Sequence, residues 1–329
     1  MNRRAGRVGE RLGKRRAERG AALLLAMLVL TLVATLAASM AWQQSRSVQM
    51  EAAERASVQA GWILSGALDW ARLILREDTR AGGADHLGEP WATPLAEARL
   101  STFLAADRDN NADSGPEAFL SGAIADEQSH YNLRNLVGAD GKVVPAELRA
   151  LERLCEAAGL PTDTPTRLAE GLRAAWAATG EEDADAPLAP TRVAQLSWLG
   201  LDAATVARLE PFVTLLPVPT PVNANTASRE VLLAAIDGLD LGTAERLVQA
   251  RQRNHFNGLA AVQALLPEGM KAEDKRVGFR SNYFRIYGRL RLDDRVLEER
   301  SLVERRGADR GLEVVALQRE RRSMRTDAR

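Results

Sequence analysis

Residues 21–42, AALLLAMLVLTLVATLAASMAW, carry no charged side chain and follow directly on a basic stretch. As a helix rising 1.5 Å per residue they span about 33 Å, enough to cross a hydrocarbon core of ~30 Å. Thr31, Thr35 and Ser39 are the polar members, and their hydroxyls can back-bond to helix carbonyls. Of the 44 Lys and Arg in the 329-residue chain, eight lie in residues 1–20, leaving 36; of the 44 Asp and Glu, two do, leaving 42. The formal net charge of zero therefore conceals a basic N-terminal segment and a mildly acidic remainder. Positive charge beside an apolar span predicts that residues 1–20 stay in the cytoplasm and the body is exported. A buried core helix does not fit the abrupt change from a basic segment to an uncharged run.

Two kinds of processing compete at this span. Ser39-Met40-Ala41 offers a small-x-small cleavage site for a secretory signal, but the apolar run exceeds the usual ~7–15 residues of such signals. Arg19-Gly20 ahead of an apolar helix that continues as an amphipathic one resembles the prepilin class. That resemblance implies cleavage after Gly20 by a prepilin peptidase and an N-methylated mature start at Ala21. Prepilins usually have Glu at the fifth mature position; here that position is Leu25. A carboxylate inside a membrane is costly and is kept for a function. In the class it is held to neutralise a neighbouring subunit's N-terminus, so a subunit lacking it suits the first position of a fibre.

Beyond Trp42, the apolar residues Val48, Ala52, Ala56, Ala60, Ile63, Ala67, Trp70, Leu73 and Ile74 recur every three or four positions among charged ones. The spacing predicts a long amphipathic helix ending at Ala81-Gly82-Gly83. Further helices are expected at 148–158, 166–178, 192–199, 203–209, 228–236 and 243–253, separated by Pro and Gly. Alternation predicts strands at 283–292, 295–303 and 312–317, with a possible one near 119–124. The fold class expected is α+β: a long transmembrane and amphipathic helix on an antiparallel sheet, interrupted by a large all-α insertion.

Four features coincide: the leader with Leu25, Asp126-Glu127-Gln128 leading to Asn132-Leu133-Arg134-Asn135-Leu136, Val222-Asn223-Ala224-Asn225-Thr226-Ala227, and Ser281-Asn282-Tyr283-Phe284. Their order and spacing closely resemble the minor pseudopilin K family of type II secretion systems, over nearly the whole chain. The resemblance implies a pilin-like body with an inserted helical domain, a role in capping the pseudopilus tip and initiating its assembly for protein export, no catalysis, and the minor pseudopilins I and J, with other pseudopilins, as partners. It divides the chain into a leader 1–20, a membrane helix 21–42, the first part of the body 43–144, the insertion 145–270, C-terminal strands 271–318 and a basic tail 319–329.

Other readings bear on chemistry. Residues 228–253 also look like a helix-hairpin-helix, which makes a membrane-anchored periplasmic DNA-binding protein the alternative. Asp237 and Asp240 in the hairpin, and the acidic remainder, oppose a nucleic-acid partner. The family carries an acidic calcium loop written W-x-D-x-D and then G-x-E-D. Here Ala178 and Gly180 stand at its two Asp places, and Glu181, Glu182, Asp183 and Asp185 follow. A second run, Asp107, Asp109, Asn111 and Asp113, has alternating oxygen spacing but lacks the Gly and Glu of an EF-hand. Calcium is thus the one metal suggested. The single cysteine, Cys155, falls on an apolar helix face. His130 is near Asp126 but has no third partner and no nucleophile in order, and there is no phosphate loop or dinucleotide fingerprint, so enzyme activity is not expected.

Overall fold

The computed structural model describes residues 5–100, 118–177, 187–292, 295–307 and 312–325, with side chains from Ala22 to Met324. The chain divides into two units, Met1–Trp62 and Ile63–Arg329. The first is helical. Helix α1 (Ala5–Ala81) begins in it, and every side chain from Ala22 to Ala52 is exposed, including Leu23, Leu24, Leu25, Met27, Leu28, Leu30 and Leu36. Its apolar stretch is long enough to cross a membrane. Thr31 and Thr35 donate to Leu28 O at 2.9 Å and Leu32 O at 2.8 Å, so neither hydroxyl is left unpaired in an apolar surrounding.

The second unit is α+β. Five antiparallel strands form one sheet in the order β1 (Leu95–Arg99), β2 (Ala118–Asp126), β7 (Tyr283–Leu292), β8 (Arg295–Arg306) and β9 (Glu313–Arg325). The last turns of α1 pack on it. Leu68, Ala71 and Leu75 meet Trp91, Phe284, Ile286, Val303 and Val314 in one apolar core. Leu64, also buried, lies over Gly288, where an added Cβ would come within 3.0 Å of Leu64 Cδ2. Each buried leucine contributes roughly 1.5–3 kcal/mol. Arg72 Nε donates to Val314 O at 2.6 Å, pinning the helix to β9. The helix stops where Gly82 and Gly83 take φ of +68° and +116°, which L side chains resist.

The buried stripe of α1 corrects the sequence reading. Leu64, Leu68, Ala71 and Leu75 face the sheet, whereas Trp70 is 50% and Leu73 42% exposed. This part of α1 carries two adjacent apolar stripes, and periodicity cannot choose between them without the sheet. β7 spans the expected residues, whereas β2, β8 and β9 are longer than expected. β9 runs to Arg325, so residues 319–325 are sheet where the sequence suggests a basic tail. The arginines are held because Arg319 and Arg321 both reach the buried carboxylate of Glu299 on β8, at 3.0 and 2.6 Å. Edge strand β1, with its helix-favouring LAEAR, had no signal in the alternation pattern.

β2 and β7 are neighbours in the sheet, with Asp126 opposite Phe284. The chain between them, residues 127–282, leaves the sheet and returns. It contains α2 (Pro145–Ala157), α3 (Thr164–Ala177), α4 (Ala203–Leu209), α5 (Arg229–Ala235), α6 (Leu241–Arg253) and α7 (Leu259–Gln263). Two short parallel pairs, β3 (Tyr131–Asn132) with β4 (Val213–Thr214) and β5 (Val222–Asn223) with β6 (Val277–Gly278), close it. It has its own core, with Leu133, Leu136, Leu151, Leu154, Leu168, Leu172, Leu196 and Val231 almost fully buried. Cys155 belongs to that core; burial, with Glu152 nearby, pushes its thiol up to about 12, which leaves it an inert apolar side chain.

Candidate functional site

The three internal motifs, more than 150 residues apart at their extremes, meet in one buried polar seam where the excursion leaves and rejoins the sheet. Asp126, the last residue of β2, is its centre. Its carboxylate accepts from Gln128 N at 2.8 Å, Asn223 Nδ2 at 2.9 Å, Thr226 Oγ1 at 2.6 Å and Ser281 Oγ at 2.7 Å. Complete burial raises its pKa, and the four hydrogen bonds oppose that rise. Gln128 Oε1 accepts from Asn282 N at 2.7 Å, and its Nε2 donates to Pro221 O at 3.2 Å, so one amide joins the second and third motifs.

The asparagines act as portable backbone. Asn132 receives Arg134 N and Leu216 N and donates to Val218 O; Asn135 exchanges two bonds with Thr220; Asn225 exchanges two with Phe256. Loops buried away from water must pair their amides and carbonyls somehow, and a primary amide supplies both halves. Glu127 is held by Arg285 and by Thr214 Oγ1 at 2.5 Å. Burial would raise its pKa, but the Arg285 hydrogen bond and charge prevail and lower it.

A second set of charges, which the sequence reading missed, continues the seam to the end of α1. Arg305 of β8 donates to Asp78 at 2.8 Å, to Asp85, and through Nε to Ser281 O at 3.0 Å, while its guanidinium lies 4.4 Å from the Phe284 ring centre. Asp85 also accepts from Ser281 N at 2.7 Å. Burial and the neighbouring Glu89 push Asp78 up to about 6 against the pull of Arg305. The available signal was an arginine two residues after Val303, on the apolar side of a strand. Asp78, Asp85 and Glu89 form the one group among the described residues with converging metal-type oxygens. Arg305 already fills the cation's place, and Glu89 is engaged by His86 N and Trp91 Nε1.

Three of the hairpin charges are likewise spent internally. Asp237 accepts from Arg153 at 2.7 Å and Arg276 at 3.0 Å; Asp240 caps α6 through Thr243 N at 2.9 Å; Arg251 turns inward to Ala224 O at 2.7 Å. Ser228, just after the second motif, caps α5, its hydroxyl accepting from Val231 N at 3.3 Å. Gly20, Ala21 and Leu25 lie within α1, and Leu25 is exposed. Asp107, Asp109, Asn111, Asp113, Glu182, Asp183 and Asp185 lie outside the described residues. What the seam can do is hold two cores in register; Ser129 Oγ lies 3.1 Å from His130 Nδ1 but is engaged by Asp126 O at 2.6 Å.

An apolar groove of about 360 Å³ runs beside it, lined by Leu68, Trp70, Ile74, Trp91, Leu120 and Ile286. Its floor is low because Gly122 of β2 and Gly288 of β7 are cross-strand partners.

Comparison with known proteins places this architecture. Two family models, both described as type II secretion system protein K, match residues 129–218 and 222–279, within the excursion. Type II secretion system protein K of Pseudomonas aeruginosa is 32% identical over 269 residues, covering 74% of this chain and 76% of the relative. A chain from the crystal structure of the GspK–GspI–GspJ complex of the enterotoxigenic Escherichia coli type 2 secretion system superposes with a TM-score of 0.57 at 18% identity, over 82% of this chain and 98% of that one. The motifs that build the seam, the excursion between β2 and β7 and the relative from Pseudomonas agree: this chain belongs to the family of type II secretion system protein K.

Proposed function

We propose that this protein is the minor pseudopilin that caps the tip of the type II secretion pseudopilus and helps initiate its assembly, working by packing without bond chemistry. One observation carries the reading. From Ala22 to Ala52, α1 is exposed throughout and rich in large apolar side chains, while its last turns are buried on a folded body. Such a surface demands lipid or neighbouring helices, at about 25 cal/mol per Å² removed from water. The subunit is complete only inside a membrane or an assembly. In this reading one span anchors it in the inner membrane, the body lies in the periplasm, and its partners are minor pseudopilins I and J.

Prepilin peptidase cuts after Gly20, and Ala21 becomes the N-methylated start. Leu25, in place of Glu, leaves no carboxylate for a subunit above. The excursion widens the head, so nothing stacks over it. Copurification of the body from residue 43 with minor pseudopilins I and J tests the reading. A stable ternary complex is expected; a body that binds neither partner sinks it.

A further inference from the structure

We propose that the ring stack of His86 on His255 is an acid-labile fastener between the loop after α1 and the connection from α6 to α7: neutral imidazoles hold it closed, and protonation parts it. This goes beyond the capping role and does not depend on it.

The geometry is specific. The two ring centres are 3.9 Å apart with planes 10° from parallel. Both side chains are part-buried, so protons reach them. His86 belongs to the loop stitched to the returning chain by Asp85 N to Phe279 O at 2.8 Å and Arg280 Nε to Gly83 O at 2.7 Å. His255 immediately precedes Phe256, whose backbone is locked by Asn225. The stack therefore joins two segments that the polar seam already brings together.

Protonation is opposed on several sides. Nδ1 of His86 accepts the Gly88 N–H at 3.1 Å, so the neutral ring carries its hydrogen on Nε2 and a second proton must displace that bond. A cation would lie face to face with another imidazole. The carboxylates that could rescue it are already engaged: Asp78 of α1 and Asp85 of the loop by Arg305 of β8, and Glu89 by His86 N and Trp91 Nε1. Arg280 adds positive charge from the returning chain, and Arg251 and Arg253 of α6 precede His255. Burial first, and His255 second, hold His86 below the ordinary histidine value, against a weaker opposite pull from Asp78 and Asp85. The sign follows: a histidine whose folded pKa is depressed contributes stability at neutral pH that is lost as pH falls through and below 6.5.

The test is hydrogen–deuterium exchange of the full chain in detergent, corrected for intrinsic exchange, at about pH 7.5 and about pH 5. Segments 84–89 and 254–258 should open about fivefold faster in acid, while β7 and β8 stay unchanged. In His255→Phe the rings still stack, but a protonated His86 meets a π-face instead of a second imidazole, and the ratio should fall below about twofold. An unchanged ratio in His255→Phe, or equal acceleration everywhere, overturns the proposal. Should that variant not fold, a histidine NMR titration of the unaltered protein decides: an Nε2–H tautomer titrating below 6.5 supports it, and three histidines all titrating at or above 6.5 refute it.

Discussion

Replacing Asp126 by Ala removes one acceptor from four buried donors. Each hydrogen bond to a charged acceptor contributes roughly 1.5–3 kcal/mol, and an orphaned buried donor costs about 1–3 kcal/mol. Not all four are lost outright. Asn223 Nδ2 retains Asp85 O at 3.1 Å, Ser281 Oγ retains its contact with Asn223 Nδ2 at 3.0 Å, and Thr226 Oγ1 lies 3.5 Å from Asn223 O. Gln128 N is stranded. Relief from desolvating a fully buried carboxylate offsets part of the loss. The net expected is about 3–5 kcal/mol, the range for breaking a buried charge network from one side. Asp126→Asn is the sharper test. It has the same shape, but either orientation of its amide sets the NH₂ against a donor, Gln128 N in one and Asn223 Nδ2 in the other. It should be destabilising although it fills the space, by less than Ala. Urea unfolding of the body from residue 43, followed by far-ultraviolet circular dichroism, measures both. A loss under about 1 kcal/mol for Ala, or a neutral Asn, would show that the seam does not hold the two cores together.

Asp78 sets a second expectation, with opposite sign to His86. Its pKa is raised from 3.8 to about 6, so the folded state binds a proton more readily, and its contribution declines as pH rises through that window; Asp78→Asn should flatten the wild-type pH profile of unfolding between those limits. Intact-mass analysis of the membrane-extracted protein should give a chain starting at N-methylated Ala21, Gly20→Leu should keep the leader, and a chain starting at Trp42 would establish a secretory signal instead. Leu25→Glu should leave the body's stability unchanged; if it moves the protein from the tip into the shaft, the missing carboxylate is the restriction, and if not, the head is. Because Asp126 lies opposite Phe284 in the sheet, joining residue 127 to 282 by a short Gly/Ser turn makes a β-hairpin of β2 and β7. That variant should bind its partners yet allow longer fibres when the major subunit is overproduced, and capping as tight as the intact protein's would rule out a steric cap.

Much of this protein is written in local pattern. An uncharged run of 22 residues behind eight basic ones specifies a membrane-length helix, because lipid responds to length and charge alone. The strands 283–292 and 295–303 declare themselves by alternation, and most helices by period and breakers, since those signals depend on neighbours a few residues away. The motifs at 126–136, 222–227 and 281–284 were visible as words. Their meaning was not, because Asp126, Thr226 and Ser281 become one hydrogen-bonded group only when the fold joins positions up to 155 apart. Arg305, Asp78 and Asp85 had no motif at all; a buried arginine is stable only where carboxylates and a carbonyl converge on it, and that convergence belongs to the sheet, the end of α1 and a loop together. The same holds for the face of α1. Two apolar stripes satisfy the helical period equally, and tertiary packing chose Leu64, Leu68, Ala71 and Leu75 because that stripe meets the dent left by Gly122 and Gly288 and the apolar face of the sheet.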